Sequence, residues 1–273
     1  MKFADLHVHS NCSDGTLSGR ELAALAGSSG LAAISLVDHD SVSGIDQAQE
    51  AASAIGLEVI PGVELTAEYD GQEIHILGYL IDHANGRLLE KLAVLQKNRV
   101  DRIFKMTKKL KEDMDVRVSP EAVFELSQGG TVGRLHVARA MVQQGLVNNV
   151  YEAFHKFIGD KCPGYVAGFK LSPEEGIAVI KDAGGIPVLA HPYTVTRDAL
   201  IPEFVGMGLQ GLEVYYSEHS QGMVNFYLAL AKKHRLLVTG GSDFHGEAKP
   251  GVKLGSVKVP YELVEKLKQA QRA

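Results

Sequence analysis

The sequence predicts an α/β fold in which strands and helices alternate, interrupted by one helical insertion. Three observations support this prediction. Short apolar runs of strand length recur along the 273-residue chain, and segments with helical spacing separate most of them. Several runs are apolar throughout, as in parallel strands that are buried on both faces. Between residues 87 and 160, helical patterns follow one another without a convincing strand.

The segment before residue 87 contains four predicted strands and two predicted helices. Ser18-Gly19-Arg20-Glu21 matches a capping box, which predicts a helix of about ten residues that ends near Gly30. The second helix is predicted at about 44–55. The first strand is expected to start at Phe3, and the other three are expected to span 32–37, 57–60 and 73–79.

Residues 1–86 and 161–273 form the predicted barrel, and residues 87–160 form the predicted insertion, which we interpret as a subdomain that covers the substrate. The insertion is expected to contain helices at 88–114, 120–126, 134–143 and 151–157. Ser172-Pro173-Glu174-Glu175 then predicts a helix start, with proline at the first helical position. The remaining strands are expected at 186–190, 211–216 and 236–240, and the remaining helices at 221–234 and from Tyr261.

The composition is that of a globular protein with a large core. Hydrophobic residues make up 45% of the chain, and the net charge of −5 argues against a surface that is basic throughout, although it leaves room for a local basic cleft. Two cysteines do not make a disulfide framework, and no signal-peptide pattern precedes the first strand. No apolar run approaches the roughly 18 residues that span a membrane. We therefore expect a cytoplasmic protein with no membrane association and no obligate protein partner.

Candidate metal ligands begin with His7 and His9 at the end of the first strand. Residues two apart in a strand point to the same side, so both imidazoles can reach one cation. Asp14 adds a carboxylate from the turn that follows. Further candidates lie at or near other strand ends, where a β/α barrel builds its site: His39, Glu64, His75, His191, Asp243 and His245. Imidazole and carboxylate ligands without thiolate suit zinc, manganese or iron.

Five motifs, in this order along the chain, resemble those of the PHP family (polymerase and histidinol phosphatase domain). They are Asp5-Leu6-His7-x-His9-Ser10, Asp38-His39-Asp40, Pro61-Gly62-x-Glu64, Ala190-His191-Pro192 and Gly241-Ser242-Asp243-x-His245. The resemblance extends over nearly the whole chain. It implies a distorted seven-stranded β/α barrel and two or three divalent metal ions (Mn, Zn or Fe).

The resemblance also implies how the ligands divide among the metals. The first metal would be bound by His7, His9, Glu64 and Asp243. The second would be bound by Asp14, His39 and His245. Glu64 would bridge to a third metal, which His75 and His191 would also bind. Because metals lower the pKa of bound water, the implied reaction is attack of a metal-bound hydroxide on a phosphate ester.

Candidate substrate-binding residues lie mainly in the insertion. Arg99 and Arg102 are three residues apart on one basic helix and share a face, and guanidinium groups suit phosphate. Arg134 and His136 lie at the start of another helix, where an anion site is plausible. The alternatives are a solvated basic face and a packed histidine. His219 and Lys161 complete the predicted substrate-binding set.

The insertion sequence Gly-Arg-x-His-x-Ala-Arg, together with Asn98-Arg99-x-x-Arg102, resembles one PHP subfamily. The implied substrates are nucleoside 3′,5′-bisphosphates, nucleoside monophosphates or short RNA that is trimmed from its 5′ end. A histidinol-phosphate phosphatase is an alternative with the same chemistry, although so small a substrate would not need several extra arginines. An amidohydrolase that cleaves C–N bonds is an alternative of another class. Such enzymes often bridge metals with a carboxylated lysine, and here Glu64 takes the bridging place.

Overall fold

The computed structural model describes residues 2–167 and 171–272. Its strands form one sheet in the order β7-β6-β5-β4-β3-β2-β1-β8. The strands are β1 Phe3–Val8, β2 Ala33–Leu36, β3 Glu58–Tyr69, β4 Gln72–Tyr79, β5 Ile186–Leu189, β6 Gly211–Tyr216, β7 Leu237–Gly241 and β8 Val259–Pro260. Just after β7, the main-chain N–H of Asp243 donates to the carbonyl of His7 at 2.9 Å, so the sheet curves into a nearly closed barrel.

The helices surround this barrel. The capping box predicted at Ser18 and the helix start predicted at Ser172 are both confirmed, and the second also has a capping box. The α-helices are α1 Gly19–Ser28, α2 Ile45–Ser53, α3 Gly86–Met114, α4 Pro120–Ser127, α5 Arg134–Gln143, α6 Val150–Ala153, α7 Pro173–Asp182, α8 Ile201–Gly206, α9 Gln221–His234 and α10 Tyr261–Gln271. A π-helix, Phe154–Ile158, continues α6. Within the described ranges, no helix has both the length and the apolar character that crossing a bilayer requires.

Strand β4 runs antiparallel to both of its neighbours, β3 and β5. The sequence interpretation treated all the strands of the barrel as parallel, and for β4 this prediction is wrong. Only Asp70 and Gly71 separate β3 from β4, and both have positive φ, of 51° and 74°, as a type I′ turn requires. A link of two residues joins antiparallel strands, because a parallel connection needs a dozen or more. The two-residue β8 is also a strand that the sequence interpretation did not include.

Strand β3 is longer than the predicted strand at 57–60 and continues through Pro61 and Gly62. Pro61 pairs with Leu36 of β2. A Cβ atom on Gly62 would lie 2.7 Å from the Ser35 side chain, so this glycine permits a close approach within the sheet rather than a turn. Glu64, predicted to follow the strand, is therefore inside it and is held by ladder hydrogen bonds.

The helices α3 to α6 and the π-helix occupy residues 86–158, and no described strand interrupts them. The first half of α3 packs on the barrel, since Leu88, Leu92 and Leu95 belong to the barrel core. From Ile103 onward, the buried side chains form a separate core with α4, α5 and α6. Residues 87–160 remain our proposed insertion, and the long helix α3 is the element that anchors it to the barrel.

Candidate metal centre

The side chains predicted as metal ligands converge at one end of the barrel. Their ligand atoms form four overlapping groups, within each of which all atoms lie within 4.8 Å of one another. The groups are His9, Asp14, His39 and His245; His7, His9 and Asp243; His7, Glu64 and His191; and His39, Glu64 and His75. All but His39, His75 and His191 are buried, and those three are partly buried.

Glu64 lies at the centre of these groups, and its two carboxylate oxygens face different sets of imidazoles. Its Oε1 atom lies 2.8 Å from Nδ1 of His75 and 3.1 Å from Nε2 of His191. Its Oε2 atom lies 3.2 to 3.3 Å from nitrogens of three further imidazoles, those of His7, His9 and His39. A carboxylate in this position is able to bridge two cations.

Asp243 presents only one of its oxygens to the cluster. Its Oδ1 atom lies 3.4 Å from Nε2 of His7 and 3.2 Å from Nε2 of His9. Its Oδ2 atom accepts a hydrogen bond from the Tyr216 hydroxyl and another from the Lys249 ammonium, both at 2.7 Å. The sequence analysis identified neither Tyr216 nor Lys249, because nothing in their local sequence connects them to Asp243.

The loop after β1 carries Asp14, whose oxygens lie 3.2 Å from Nε2 of His245 and 3.8 Å from Nε2 of His39. The buried carboxylate of Asp38 holds this loop in place. It accepts hydrogen bonds from the main chain of Ser10 at 2.7 Å and from the hydroxyl groups of Ser10 and Ser13. Asp38 therefore positions the loop, and this role accounts for the first acidic residue of the Asp38-His39-Asp40 motif.

Glu213 is a buried carboxylate behind the cluster that the sequence analysis missed. It orients His7 by accepting from its Nδ1 atom, and its other oxygen accepts the main-chain N–H of His191 at 2.8 Å. A carboxylate behind a ligating histidine fixes the ring and its tautomer. The sequence does carry a signal for this residue, since an acid in the middle of the apolar strand Gly211–Tyr216 needs a buried partner.

Glu73 is a second missed carboxylate, and it connects the cluster to the helical insertion. It lies two residues before His75 on β4, and its Oε1 atom is 2.9 Å from Nε2 of that imidazole. It also lies 2.9 Å from the guanidinium of Arg102 and 3.2 Å from that of Arg134. The spacing of Glu73 and His75 was a usable signal, because residues two apart in a strand face the same side.

The donor set fits divalent metals. Oδ1 of Asp14, Nδ1 of His39 and Nδ1 of His75 are buried and make no hydrogen bond of normal geometry. Buried polar atoms rarely lack a partner, and a bound cation would supply one. Burial alone would raise the pKa of the Glu64 carboxyl, but the imidazoles around it hold that pKa well below its usual range. Nitrogen and oxygen donors without thiolate suit zinc, manganese or iron.

All three predicted substrate-binding arginines line a cavity of about 960 Å³ that opens onto the cluster. Arg99 donates from Nε to Asp40 and from a terminal nitrogen to the Thr66 hydroxyl, both at 2.6 Å. Arg102 and Arg134 approach Glu73 as described above. Arg134 also donates to Asp160, which lies 2.6 Å away.

The other three predicted substrate-binding residues lie elsewhere. His136 is buried in α5, and its Nδ1 atom accepts the main-chain N–H of Gly133 at 3.1 Å. His219 is partly buried among tyrosine rings, and its Nδ1 atom donates to the carbonyl of Val214. Lys161 is exposed in the turn after the π-helix. These three residues do not line the cavity that the described residues enclose.

The nearly closed barrel with a histidine and carboxylate cluster at one end defines a class of metal-dependent hydrolases. The chain belongs to the PHP domain family, whose model matches residues 5–162. Among curated relatives, a 3′,5′-nucleoside bisphosphate phosphatase of Chromobacterium violaceum is 32% identical over 260 residues, with 93% of this chain and 91% of the relative covered. A 5′-3′ exoribonuclease of Haemophilus influenzae is 34% identical over 246 residues, with 88% and 89% covered.

Two solved structures are also similar to this chain over nearly its whole length. A protein of Bifidobacterium adolescentis, named a "putative metal-dependent phosphoesterase", superposes with a TM-score of 0.89 at 32% identity and covers 97% of this chain and 95% of its own. A protein of Chromobacterium violaceum, named an amidohydrolase with bound sulfate and no metal, has a TM-score of 0.86 at 30% identity, with 98% and 96% covered. The fold prediction of a PHP-like α/β barrel is therefore confirmed.

Proposed function

We propose that this protein is a metal-dependent phosphoesterase that hydrolyses phosphate esters of small nucleotides. The observation that carries the proposal is one cavity that joins the histidine and carboxylate cluster to a wall of arginines. The first feature is suited to cations and the second to phosphate oxygens. The names of the relatives, a nucleoside bisphosphate phosphatase and an exoribonuclease, support the same chemistry.

We propose two or three divalent ions, of Mn, Zn or Fe, at the cluster. Glu64 would bridge, because its Oε1 atom faces His75 and His191 while its Oε2 atom faces His7, His9 and His39. The other ligands would be His7, His9, Asp14, His39, Asp243 and His245. When bound, such ions activate water and neutralise the charge of a phosphoryl group.

The protein side chains would bind and orient the substrate. Arg102 and Arg134 lie on the cavity wall beside His75, where a phosphate ester that reaches the cluster would pass. Their guanidinium groups stack near the ring of Tyr165, which restricts their orientation. The proposed insertion, residues 87–160, supplies both arginines and would cover the substrate and limit the access of water.

The names of the relatives support three candidate substrates: nucleoside 3′,5′-bisphosphates, nucleoside monophosphates, and short RNA that is trimmed from its 5′ end. Histidinol phosphate is a smaller alternative that the arginine wall favours less. The amidohydrolase alternative rests on the name of one structural relative. It is weakened by the position of Glu64, whose two carboxylate oxygens face different sets of imidazoles and so take the bridging place that a carboxylated lysine has in such enzymes.

The test is an activity assay on metal-reconstituted protein. Substrates should include a nucleoside 3′,5′-bisphosphate, nucleoside monophosphates, histidinol phosphate, a short 5′-phosphorylated RNA and an N-acyl amino acid for C–N hydrolysis. We expect release of phosphate or mononucleotides from the nucleotide substrates. His191→Ala should abolish turnover in a protein that stays folded, whereas His83→Ala, outside the cavity lining, should not. Hydrolysis of the C–N substrate alone would refute the proposal.

A further inference from the structure

The three arginines predicted to bind substrate have carboxylate partners, whereas the residues that the structure describes include no carboxylate partner for another arginine on the cavity wall. Arg99 pairs with Asp40, and both Arg102 and Arg134 approach Glu73. Arg139 also lines the cavity, but no ion pair or hydrogen bond joins its guanidinium to another residue in the described part of the chain. Its positive charge is therefore not neutralised locally and remains available to an anionic ligand.

Arg139 belongs to one face of α5 that is turned toward the cavity. Leu135, Arg139, Val142 and Gln143 line the cavity and are spaced three or four residues apart, as neighbours on a helix surface are. This face therefore extends the cavity along the helix, away from its start at Arg134, which contacts Glu73 next to the metal-ligand cluster.

Tyr151 lies at the end of the cavity wall that follows α5. Its side chain is exposed, with 77% of the residue's surface accessible. The ring stacks on the exposed imidazole of His155 at a centroid distance of 5.8 Å. Asn148 and Asn149 line the cavity beside it. An exposed aromatic ring and an unpaired guanidinium that line the same cavity match a nucleotide, which offers a flat base and an anionic phosphate.

We propose that Arg139 and Tyr151 form a distal subsite, in which Arg139 binds a phosphate other than the one that is hydrolysed and Tyr151 stacks on the base. This inference rests on the proposed function and adds the part of the substrate that is recognised. The cavity of about 960 Å³ is at the upper end of the range for ligand sites and has room for more than the reacting ester. The second phosphate would come from a nucleoside bisphosphate or from the next linkage of an oligonucleotide.

The test compares substrates that differ in one feature. For the wild type, Arg139→Gln, Arg139→Lys and Tyr151→Ala, kcat/KM is measured with a nucleoside 3′,5′-bisphosphate, a 5′-phosphorylated dinucleotide, nucleoside monophosphates and ribose 5-phosphate. Arg139→Gln should lower kcat/KM for the two substrates with a second phosphate about tenfold more than for the monophosphates. Arg139→Lys should retain part of that preference. The substrate for which Arg139→Gln lowers kcat/KM more, the bisphosphate or the dinucleotide, identifies the source of the phosphate that the subsite binds.

Tyr151→Ala should lower kcat/KM for all nucleotides about tenfold more than for ribose 5-phosphate, which has no base. Matched controls are Arg117→Gln, an exposed arginine that pairs with Asp115, and Phe226→Ala, an aromatic residue that is 47% exposed; neither lines the cavity. Both should keep the substrate ratios of the wild type. Thermal unfolding identifies a variant that fails to fold, and the lysine variant then carries the test.

Two results separate this inference from the proposed function. If the wild-type protein hydrolyses none of the nucleotides, the proposed function fails and the subsite fails with it. If it hydrolyses them and the substrate ratios of the Arg139 and Tyr151 variants equal those of the wild type, only the subsite is refuted.

Discussion

The Oε1 atom of Glu213 lies 2.9 Å from Nδ1 of His7, and neither side chain is exposed to solvent. This contact favours the tautomer that carries its proton on Nδ1, which leaves Nε2 free to act as a ligand beside Glu64. The second oxygen of Glu213 accepts the main-chain N–H of His191. One carboxylate therefore positions two candidate ligands that are 184 residues apart in the sequence (191 − 7).

Glu213→Gln should weaken metal binding by about 10- to 100-fold, because the amide can keep the shape but not the charge behind His7. Affinity is measured by competition with a chromophoric chelator and by the metal content after dialysis. Glu203→Gln on the exposed surface of α8 is the matched control and should bind metal as the wild type does. Equal metal affinity in the two variants would contradict the positioning role of Glu213.

Glu73→Gln should affect metal and phosphate binding in opposite directions. The amide can still accept from His75 but carries no charge, so metal retention should decrease about tenfold. The substitution also removes a negative charge beside Arg102 and Arg134, so inorganic phosphate should inhibit the variant at lower concentrations. Chelator competition and the inhibition constant of phosphate measure the two effects. An inhibition constant that rises would show that Glu73 does not compete with phosphate for the arginines.

Arg99→Met should destabilise the fold by about 3 to 5 kcal/mol, because it leaves the buried carboxylate of Asp40 without its partner. The free energy of unfolding is measured by urea denaturation. Lys108→Met, on an exposed part of the same helix, removes a surface ion pair with Glu112 and should cost less than about 1 kcal/mol. A similar small loss for Arg99→Met would mean that Arg99 serves the substrate rather than the fold.

His136 should make the stability of the protein depend on pH. Burial lowers the pKa of His136 to about 4 in the folded state, against about 6.5 in an unfolded chain. The unfolded state thus binds the proton more tightly, so stability is complete above pH 6.5 and decreases as the pH falls from 6.5 toward 4. At pH 5 the loss should be about 2 kcal/mol.

The pH effect is isolated by comparison with His136→Gln, which does not titrate. Urea denaturation of both proteins in chelator, at pH 7.5 and pH 5, cancels the contribution of the metal ligands. The wild type should lose about 2 kcal/mol more than the variant between the two pH values. An equal loss in the two proteins would mean that His136 is not buried in its neutral form.

The barrel and the candidate ligands could be predicted from the sequence because each has a local signal. The apolar runs mark the strands, and spacings such as His7-x-His9 and Asp243-x-His245 place side chains on one side of the chain. The direction of β4 was missed, although Asp70-Gly71 is a typical turn sequence, because the pattern of an apolar strand does not state which way it runs. Pro61-Gly62 was interpreted as the end of a strand because these residues usually interrupt strands. Their close contacts in the sheet come from the neighbouring strand β2 and could not be predicted locally.

The partners behind the ligands could not be predicted, since their contacts depend on packing between distant segments. Lys249 and Tyr216 meet at one oxygen of Asp243 only because β6 and the segment after β7 are neighbours in the barrel. The predicted substrate arginines were selected by residue type and helical face. Only the structure reveals that Arg99 pairs with Asp40, and that Arg139 has no such partner within residues 2–167 and 171–272.

The hydrogen bond from the Asp243 N–H to the His7 carbonyl joins β1 to the segment after β7 at the place where the imidazoles meet. During synthesis, a ribosome-bound fragment that ends before this segment would contain some of the candidate ligands but would lack Asp243 and His245. Cation binding would therefore require the contact between β1 and the segment after β7, and the bound ions would link the first strand to a segment that is synthesised more than 230 residues later. Amide hydrogen exchange at Asp243 should slow when metal is added, which makes this single proton a reporter of the assembled barrel.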